Sequence, residues 1–534
     1  MKKVLALVLA LIMVLSLAAC GAKTEAPKTE TPKTDAPAVE TPKEEAPKEE
    51  APKVPELKGP GNVTLKRLGY NVAWDPNTDI NAQVLEEVTG YHAEYFKLPA
   101  DNADEKLLME VSGGGNYDVL NVTVNQFRTL LAQGALQPLD DLLEVYGQNI
   151  LNAGHEEAVW DALRGEDGHI YAVPYMYPHP AEIAAFMTVR LDLLKEAGIE
   201  AVPTTIDEFY NMLVTLKNYY GDEYIIFAGP YTPSSEGNEN WVIPKTIACA
   251  FGIYNDWMVT DDGKVIYMSE HENFDDMIAF FSKLQAEGLL DPDWALNTDA
   301  TLLEKFTSGK SIVTCGNRTL VSRGTAALFE AVPGCDWDDI GYVNALQGPD
   351  GTCDYMSTNA FNFVSCIPAS SKNAADVMNW WNIRIEEQLL INIGVEGVHY
   401  TLDEKGEIAP INPIFADERG NSYYFNDVTS PEFQNQWPAR VRKSAGQWHA
   451  FSAVTMNAPD YINFEPNTFA FMPAKESYAT YNTALFSSLS DFILQVMAGT
   501  RTVDDLATYA SDWANAGGEE VRNDLQTWYD EFYG

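Results

Sequence analysis

The chain has 534 residues, with 35 Lys and Arg against 78 Asp and Glu for a formal charge of −43; 46% of residues are hydrophobic and 11% aromatic. So acidic a chain excludes a general nucleic-acid binder, which needs basic side chains to displace phosphate counterions. The apolar content is enough for large cores, and the length requires more than one lobe.

Taken in order, Lys2 and Lys3 precede an apolar stretch from Val4 to Leu17. That is too short to span about 30 Å of hydrocarbon and has the length of an export-signal core. Leu17-Ala18-Ala19-Cys20-Gly21 closes it with small residues and reads as a bacterial lipobox. Residues 1–20 are thus expected to be a lipoprotein signal peptide, leaving Cys20 as a lipidated N-terminus on the extracytoplasmic face of the cell membrane. Acyl chains contribute about 0.8 kcal/mol per buried CH₂, so several on one cysteine hold a protein there. Residues 21–60 repeat Lys, Glu, Thr, Pro and Ala with almost no large apolar side chain. Such a segment cannot offset its ordering entropy by burial and is expected to be a disordered, proline-stiffened tether. The signal carries +2 and the tether −2, so 26 basic and 69 acidic residues in 61–534 hold the whole −43. Neutral or cationic ligands are favoured, and an anionic one needs a local basic patch.

The folded part opens with a predicted strand at 63–68, a helix at 81–88, a strand at 91–97, a helix at 104–111 and a strand at 118–122. Strands and helices in alternation predict a mostly parallel, layered α/β lobe. A second set begins with a strand near 182–189, helices at 190–197 and 206–219, and strands at 224–228 and 311–314. A strand at 361–366 and a helix at 374–390 follow, and the last hundred residues read as helical and rich in Tyr and Trp. The pattern divides into two lobes, 61–180 with 340–370 and 181–339 with 371–534, the second carrying the C-terminal helices.

Cysteines beyond Cys20 are Cys249, Cys315, Cys335, Cys353 and Cys366, without Cys-x-x-Cys spacing. Small buried apolar residues are the preferred reading, with one bridge among Cys335, Cys353 and Cys366 as the alternative in an exported protein. Catalytic motifs fail: Glu304 stands where the phosphate loop ending in Gly309-Lys310-Ser311 needs glycine, and Val159 replaces the second histidine of a zinc-protease helix beginning at His155-Glu156. Asp75, Asn77, Asp79, Asn81, Gln83 and Glu86 follow a calcium-loop register, but Ile80 occupies the glycine position. Helix capping by Asp79 or Asn81 is preferred over calcium. No metal or other cofactor is expected.

Loops rich in Trp and Tyr beside Asn, Asp and His are the chemical signal: Tyr70 with Trp74 and Asp75; Tyr175, Tyr177 and His179; Trp241; Trp257. Sugar rings offer apolar C–H faces edged by hydroxyls, which aromatic faces and hydrogen-bonding side chains suit. Any single aromatic can equally be packing; position after a strand discriminates, because ligands bind outside the carboxyl ends of strands in open α/β sheets.

Several stretches, in order and spacing, resemble the extracellular solute-binding family 1, the capture subunits of bacterial ABC sugar importers. They are Gly168-His169-Ile170-Tyr171-Ala172-Val173-Pro174, Arg190-Leu191-Asp192-Leu193-Leu194-Lys195-Glu196-Ala197-Gly198-Ile199, Val202-Pro203-Thr204-Thr205-Ile206-Asp207-Glu208-Phe209, Glu287-Gly288-Leu289-Leu290-Asp291-Pro292 and Gly394-Val395-Glu396-Gly397-Val398-His399-Tyr400. Two departures stand out. The calcium loop that some relatives carry after the Pro-Thr-Thr helix is absent from the shorter Leu216–Glu223, and Leu193 replaces the tryptophan of Arg-x-Asp-Trp.

The resemblance implies an α/β, two-lobed periplasmic-binding-protein-like fold, type II or Venus flytrap, with extra C-terminal helices. It implies a monomeric, lipid-anchored, non-enzymatic receptor that captures an oligosaccharide between its lobes and hands it to the permease subunits of an ABC importer. Candidate ligand-binding residues are Tyr70, Trp74, Asp75, Tyr175, Tyr177, His179, Trp241, Trp257, Asn317, Arg318 and Tyr355. The aromatics would stack, while Asp75, Asn317 and Arg318 would bond hydroxyls. The alternatives are a receptor for peptides or amino-acid derivatives and an exported glycan-active enzyme.

Overall fold

The computed structural model describes residues 54–100, 102–177, 182–183, 185–229, 243–356, 361–470, 472 and 475–533. Cys20, His179 and Trp241 lie outside these residues.

Two sheets organise two lobes. The first runs His92–Lys97, Thr64–Gly69, Val119–Val122, Phe361–Cys366, Ala172–Met176; the second runs Ile340–Val343, Ala185–Arg190, Ser311–Asn317, Ile225–Ala228. Alternate residues along the strands send side chains to opposite faces. In lobe 1 this puts Leu65, Val119 and Val173 in one core and Leu68, Leu120 and Ala172 in another, so both faces of that sheet are covered. Lobe 2 gathers one large core around Phe209, Phe227, Phe281 and Trp257, and the C-terminal helices Glu476–Met497, Leu506–Trp513 and Glu519–Tyr533 add Phe492, Trp513 and Trp528 to it.

Local chemistry sets the helix ends. Thr205 and Glu208 form a reciprocal capping box ahead of Ile206–Tyr220, which satisfies two backbone donors that the helix cannot satisfy itself. Asp79 accepts from Asn81 N at 2.9 Å to start Ile80–Thr89, and Asp75 accepts from Asn77 N at 3.0 Å. Two carboxylates of the calcium-like register are therefore caps. After Tyr220, Gly221 turns at φ 60° and Ile225 already begins a strand.

The expectation of mostly parallel sheets needs correcting. Thr64–Gly69 is parallel to both neighbours, but Phe361–Cys366 is antiparallel to Val119–Val122 and Ala172–Met176, and Ala185–Arg190 is antiparallel to Ser311–Asn317 and Ile340–Val343. The cause is the crossover: Ala185–Arg190 and Phe361–Cys366 each enter directly from the other lobe, so they run away from the hinge while their neighbours run toward it. The lobe boundaries change too. Ile340–Val343 pairs inside the second sheet, whereas Ala374–Glu386 buries Trp380 and Trp381 in a lobe 1 core and Phe433–Val441 packs on Tyr175. Residues 340–356 thus belong to lobe 2 and 371–441 to lobe 1. Among the described residues the chain passes between lobes three times, between Met176 and Ala185, Met356 and Phe361, and Val441 and Ala445.

The five described cysteines are buried thiols, and burial pushes those of Cys249, Cys315 and Cys366 up. Cys353 Sγ lies 3.8 Å from Cys249 Sγ, not beside Cys335 or Cys366. Among the described residues no helix is long and apolar enough to cross a membrane.

One buried ionic group ties lobe 1 together. Asp427 accepts from Arg67 Nε at 2.6 Å, Arg384 Nη1 at 2.5 Å and Trp381 Nε1 at 3.3 Å, and both Arg67 and Asp427 are inaccessible to solvent. Burial alone would raise the Asp427 carboxyl, but the two guanidiniums hold it below its ordinary value. Asp427→Asn leaves two buried cations without a counterion and should cost about 3–5 kcal/mol, read as a lower urea midpoint at pH 7. In the parent protein this stabilisation is complete above the unfolded-state carboxyl value of about 4 and is lost as pH falls through the depressed folded value.

Candidate functional site at the hinge

The strand ends converge where the crossovers meet. Tyr70 follows the first strand, Tyr177 the strand Ala172–Met176, and Arg318 the strand Ser311–Asn317, all on the carboxyl side. From Trp74 a continuous ribbon of rings extends along lobe 1. Trp74 meets Tyr424 edge-on at 5.2 Å, Tyr424 meets Tyr70 at 5.0 Å, and Tyr70 lies flat on Phe363 with centroids 4.6 Å apart and planes 4° from parallel. Phe363 then contacts Tyr175 at 6.0 Å, Tyr175 contacts Tyr423 at 5.5 Å, and Tyr423 contacts Trp437 at 5.1 Å. Tyr70, Trp74, Tyr177, Phe363 and Tyr423 remain partly exposed.

Lobe 2 meets the ribbon through Arg318, whose guanidinium stands 5.5 Å from the Trp437 ring and 5.6 Å from Phe451. It pairs with Glu182, a buried carboxylate on the first crossover that also accepts from Trp437 Nε1 at 3.1 Å. Burial raises the Glu182 carboxyl, while Arg318 and Trp437 work against the rise. One hinge residue thus joins a lobe 2 cation to a lobe 1 indole. A second contact between lobes is Arg128, on helix Val124–Ala132, which donates to Met472 O at 2.6 Å and faces the Tyr478 ring at 5.8 Å.

The structure sorts the sequence candidates. Tyr70, Trp74, Tyr177 and Arg318 stand along the ribbon. Tyr175 is its buried link, with its hydroxyl donating to Tyr423 O at 2.9 Å. Asn317 caps helix Arg318–Ala331 through Thr319 N and Leu320 N, and Asp75 caps its own turn. Trp257 lies elsewhere: it is buried in the lobe 2 core against Tyr267 and Trp513, and its Nε1 donates to Asn482 Oδ1 at 2.8 Å. Tyr355 is buried in lobe 2 and donates to Ala185 O at 2.9 Å. The sequence reading missed Phe363, Tyr423, Tyr424 and Trp437. The run Tyr423-Tyr424-Phe425-Asn426-Asp427 carries the same aromatic and polar signature as the loops selected, but it follows no predicted strand.

A shallow concavity of about 370 Å³ between helix Ile80–Thr89 and the edge strand His92–Lys97 is lined by lobe 1 alone, including Asn77, Glu86 and His92. Lobe closure would not enclose a ligand there.

Two α/β lobes, joined by crossovers, carry an aromatic ribbon at their base. The sequence matches the family model described as bacterial extracellular solute-binding protein over residues 82–382, and the chain belongs to that family. It is 27% identical over 337 residues to the fructooligosaccharide ABC transporter substrate-binding protein FusA of Streptococcus pneumoniae; the match spans 57% of this chain and 57% of that relative's length. It is 24% identical over 466 residues to lipoprotein LipO of Bacillus subtilis, spanning 84% of this chain and 88% of LipO. A solved structure of S. pneumoniae FusA, an EF-hand mutant in complex with fructo-nystose, superposes with a TM-score of 0.67 at 20% identity, covering 88% of this chain and 99% of that one.

Arg318→Ala should destabilise the protein by about 3 kcal/mol, because Glu182 is left as an unpaired buried carboxylate. Combining it with Glu182→Gln should restore most of that loss in denaturant titrations, giving a coupling energy above about 1 kcal/mol.

Proposed function

We propose that this protein is a receptor for an oligosaccharide, captured between the lobes and delivered to an ABC importer. The observation that carries the reading is the ribbon of rings from Trp74 to Trp437 at the carboxyl ends of the strands, where both lobes reach the same space. Ring faces cover the apolar C–H faces of sugars, and the indole and phenol edges reach hydroxyls. Tyr70, Trp74, Tyr177 and Arg318 are the residues assigned to contact ligand, with Phe363 and Tyr423 added to them. His179 and Trp241 retain the roles their sequence context suggests. The solved FusA complex with fructo-nystose, in a protein of the same fold, supports an oligosaccharide as the class of ligand.

Capture works by population shift. A ligand that touches both lobes stabilises the closed form by its differential affinity for it, and the closed form is the one a permease would read. Lipid on Cys20 and the tether of residues 21–60 would keep the monomer close to that permease, raising effective concentration without a new contact. LipO, a lipoprotein by name, supports the anchor. Binding without turnover fits the carboxylates beside the ribbon among the described residues: Glu182 is engaged by Arg318 and Trp437, Asp427 by Arg67, Arg384 and Trp381, and Asp75 caps a turn. A hydrolase needs a pair free to exchange protons.

Titration with a panel of neutral and acidic oligosaccharides, followed by tryptophan fluorescence, is expected to give saturable binding to at least one, with the captured glycan recovered unchanged. Tyr70→Ala should weaken that binding about tenfold, equal to about 1.4 kcal/mol. No saturable binding to any oligosaccharide, or breakdown of the glycan, would contradict the reading.

A further inference from the structure

Lys443 sits on the third crossover, between helix Phe433–Val441 of lobe 1 and helix Ala445–Phe451 of lobe 2. It is partly buried, and its ammonium donates to Gly420 O. Behind the ribbon, Arg440 is buried with its guanidinium 5.8 Å from the Tyr423 ring; it donates to Asn392 O at 3.0 Å, Arg419 O at 3.2 Å, Gly420 O at 3.5 Å and Ser422 Oγ. Arg318 approaches the same hinge from lobe 2 across Trp437 and Phe451.

Among the described residues, every hydrogen bond of Arg440 and Lys443 goes to a neutral oxygen, and Glu182 faces Arg318. With 69 acidic against 26 basic residues in the folded part, composition alone would place carboxylates beside such cations. Carbonyl and ring dipoles offset part of the cost of burying them, but the charge is left for something else to neutralise. The hinge is thus a basic patch inside a strongly acidic protein, on the segment that links the lobes.

We propose that the base of the cleft receives a carboxylate carried by the oligosaccharide, a uronic-acid residue, with Lys443 as its ion-pair partner and Arg440 and Arg318 supplying positive field behind it. This rests on the oligosaccharide reading and names the class of sugar.

A consequence is proton linkage. Burial, then Arg440 and Arg318, push Lys443 down to about 7. A docked carboxylate restores the ammonium, so binding near neutral pH takes up a proton and weakens as pH rises above 7. Of the groups facing Lys443, Arg440 and Arg318 stay charged. Around Arg440, burial keeps the phenols of Tyr70, Tyr175 and Tyr423 neutral by raising them. Glu182, raised by burial, would ease Arg318's attraction for an anion only as it ionises, so it acts in the same direction at lower pH.

The test is calorimetry on the intact protein with oligosaccharides of galacturonate, glucuronate and mannuronate, each against its methyl ester, alongside neutral and sulfated oligosaccharides. At pH 6 at least one acid is expected to bind ten or more times tighter than its ester, and that advantage to shrink about tenfold per pH unit above 7. Lys443→Met should bring the ratio of acid to ester near one, and Lys443→Arg should keep the ratio while removing the pH step. Circular dichroism melts establish that each variant is folded. Esters or neutral sugars binding as well as every acid, or sulfated sugars alone being preferred, would overturn the inference while leaving the oligosaccharide reading intact; no binding across the whole set would remove that reading as well.

Discussion

The buried carboxylate of Asp427 decides where the aromatic ribbon stands. It is gripped by Arg67 from the first strand and Arg384 from helix Ala374–Glu386, and Arg67 also donates to Tyr424 O at 2.9 Å while its guanidinium lies 4.9 Å from the Tyr424 ring. The segment Ser422–Asp427 comes from late in the chain, yet these bonds fasten it beside the end of the first strand, which continues into Tyr70. Two positive charges sharing one carboxylate have few alternative arrangements without leaving a charge unpaired in the core, so the register between strand and segment is fixed. Tyr70, Tyr423 and Tyr424 inherit their positions from it.

Above that fixed base, the crossovers carry charged groups between the lobes. Strands entering directly from the opposite lobe run against their neighbours, which brings the carboxyl ends of the remaining strands to the hinge from both sides. Glu182 on one crossover and Lys443 on another lie where a change in lobe angle alters the surroundings of a charged group. Glu182 links Arg318 of lobe 2 to Trp437 of lobe 1. In the proposed receptor, ligand chemistry and lobe angle would be coupled through the same few side chains, which is what a population shift requires.

Much of the fold was legible because its elements are local. The helices starting at Ile80 and Ile206 follow from Asp79 and from Thr205 with Glu208, and the strands at 64–69, 119–122 and 225–228 from short apolar runs. Strand direction and lobe membership were not legible, since nothing local to Ile340–Val343 or Ala374–Glu386 says which lobe each will join on either side of the second crossover. The site was half legible. Tyr70 and Trp74 declared themselves as aromatics after a strand, but Trp257 carries the same signature and is core, because burial depends on Tyr267 and the distant Trp513. Tyr423 and Trp437 were missed for the converse reason, being brought to the hinge by ionic and packing contacts that span the chain. The acidic total pointed away from an anionic ligand, and the proposed exception rests on Arg318, Arg440 and Lys443, which distant parts of the chain bring to the hinge.

The central claim is that one solute is held at the hinge by both lobes at once. Hydrogen exchange with and without a bound oligosaccharide tests it most directly. The account predicts simultaneous slowing at residues 70–75 and 423–427 of lobe 1 and at 317–320 of lobe 2. Slowing confined to one lobe, or centred on the outer concavity beside Asn77, Glu86 and His92, would contradict it.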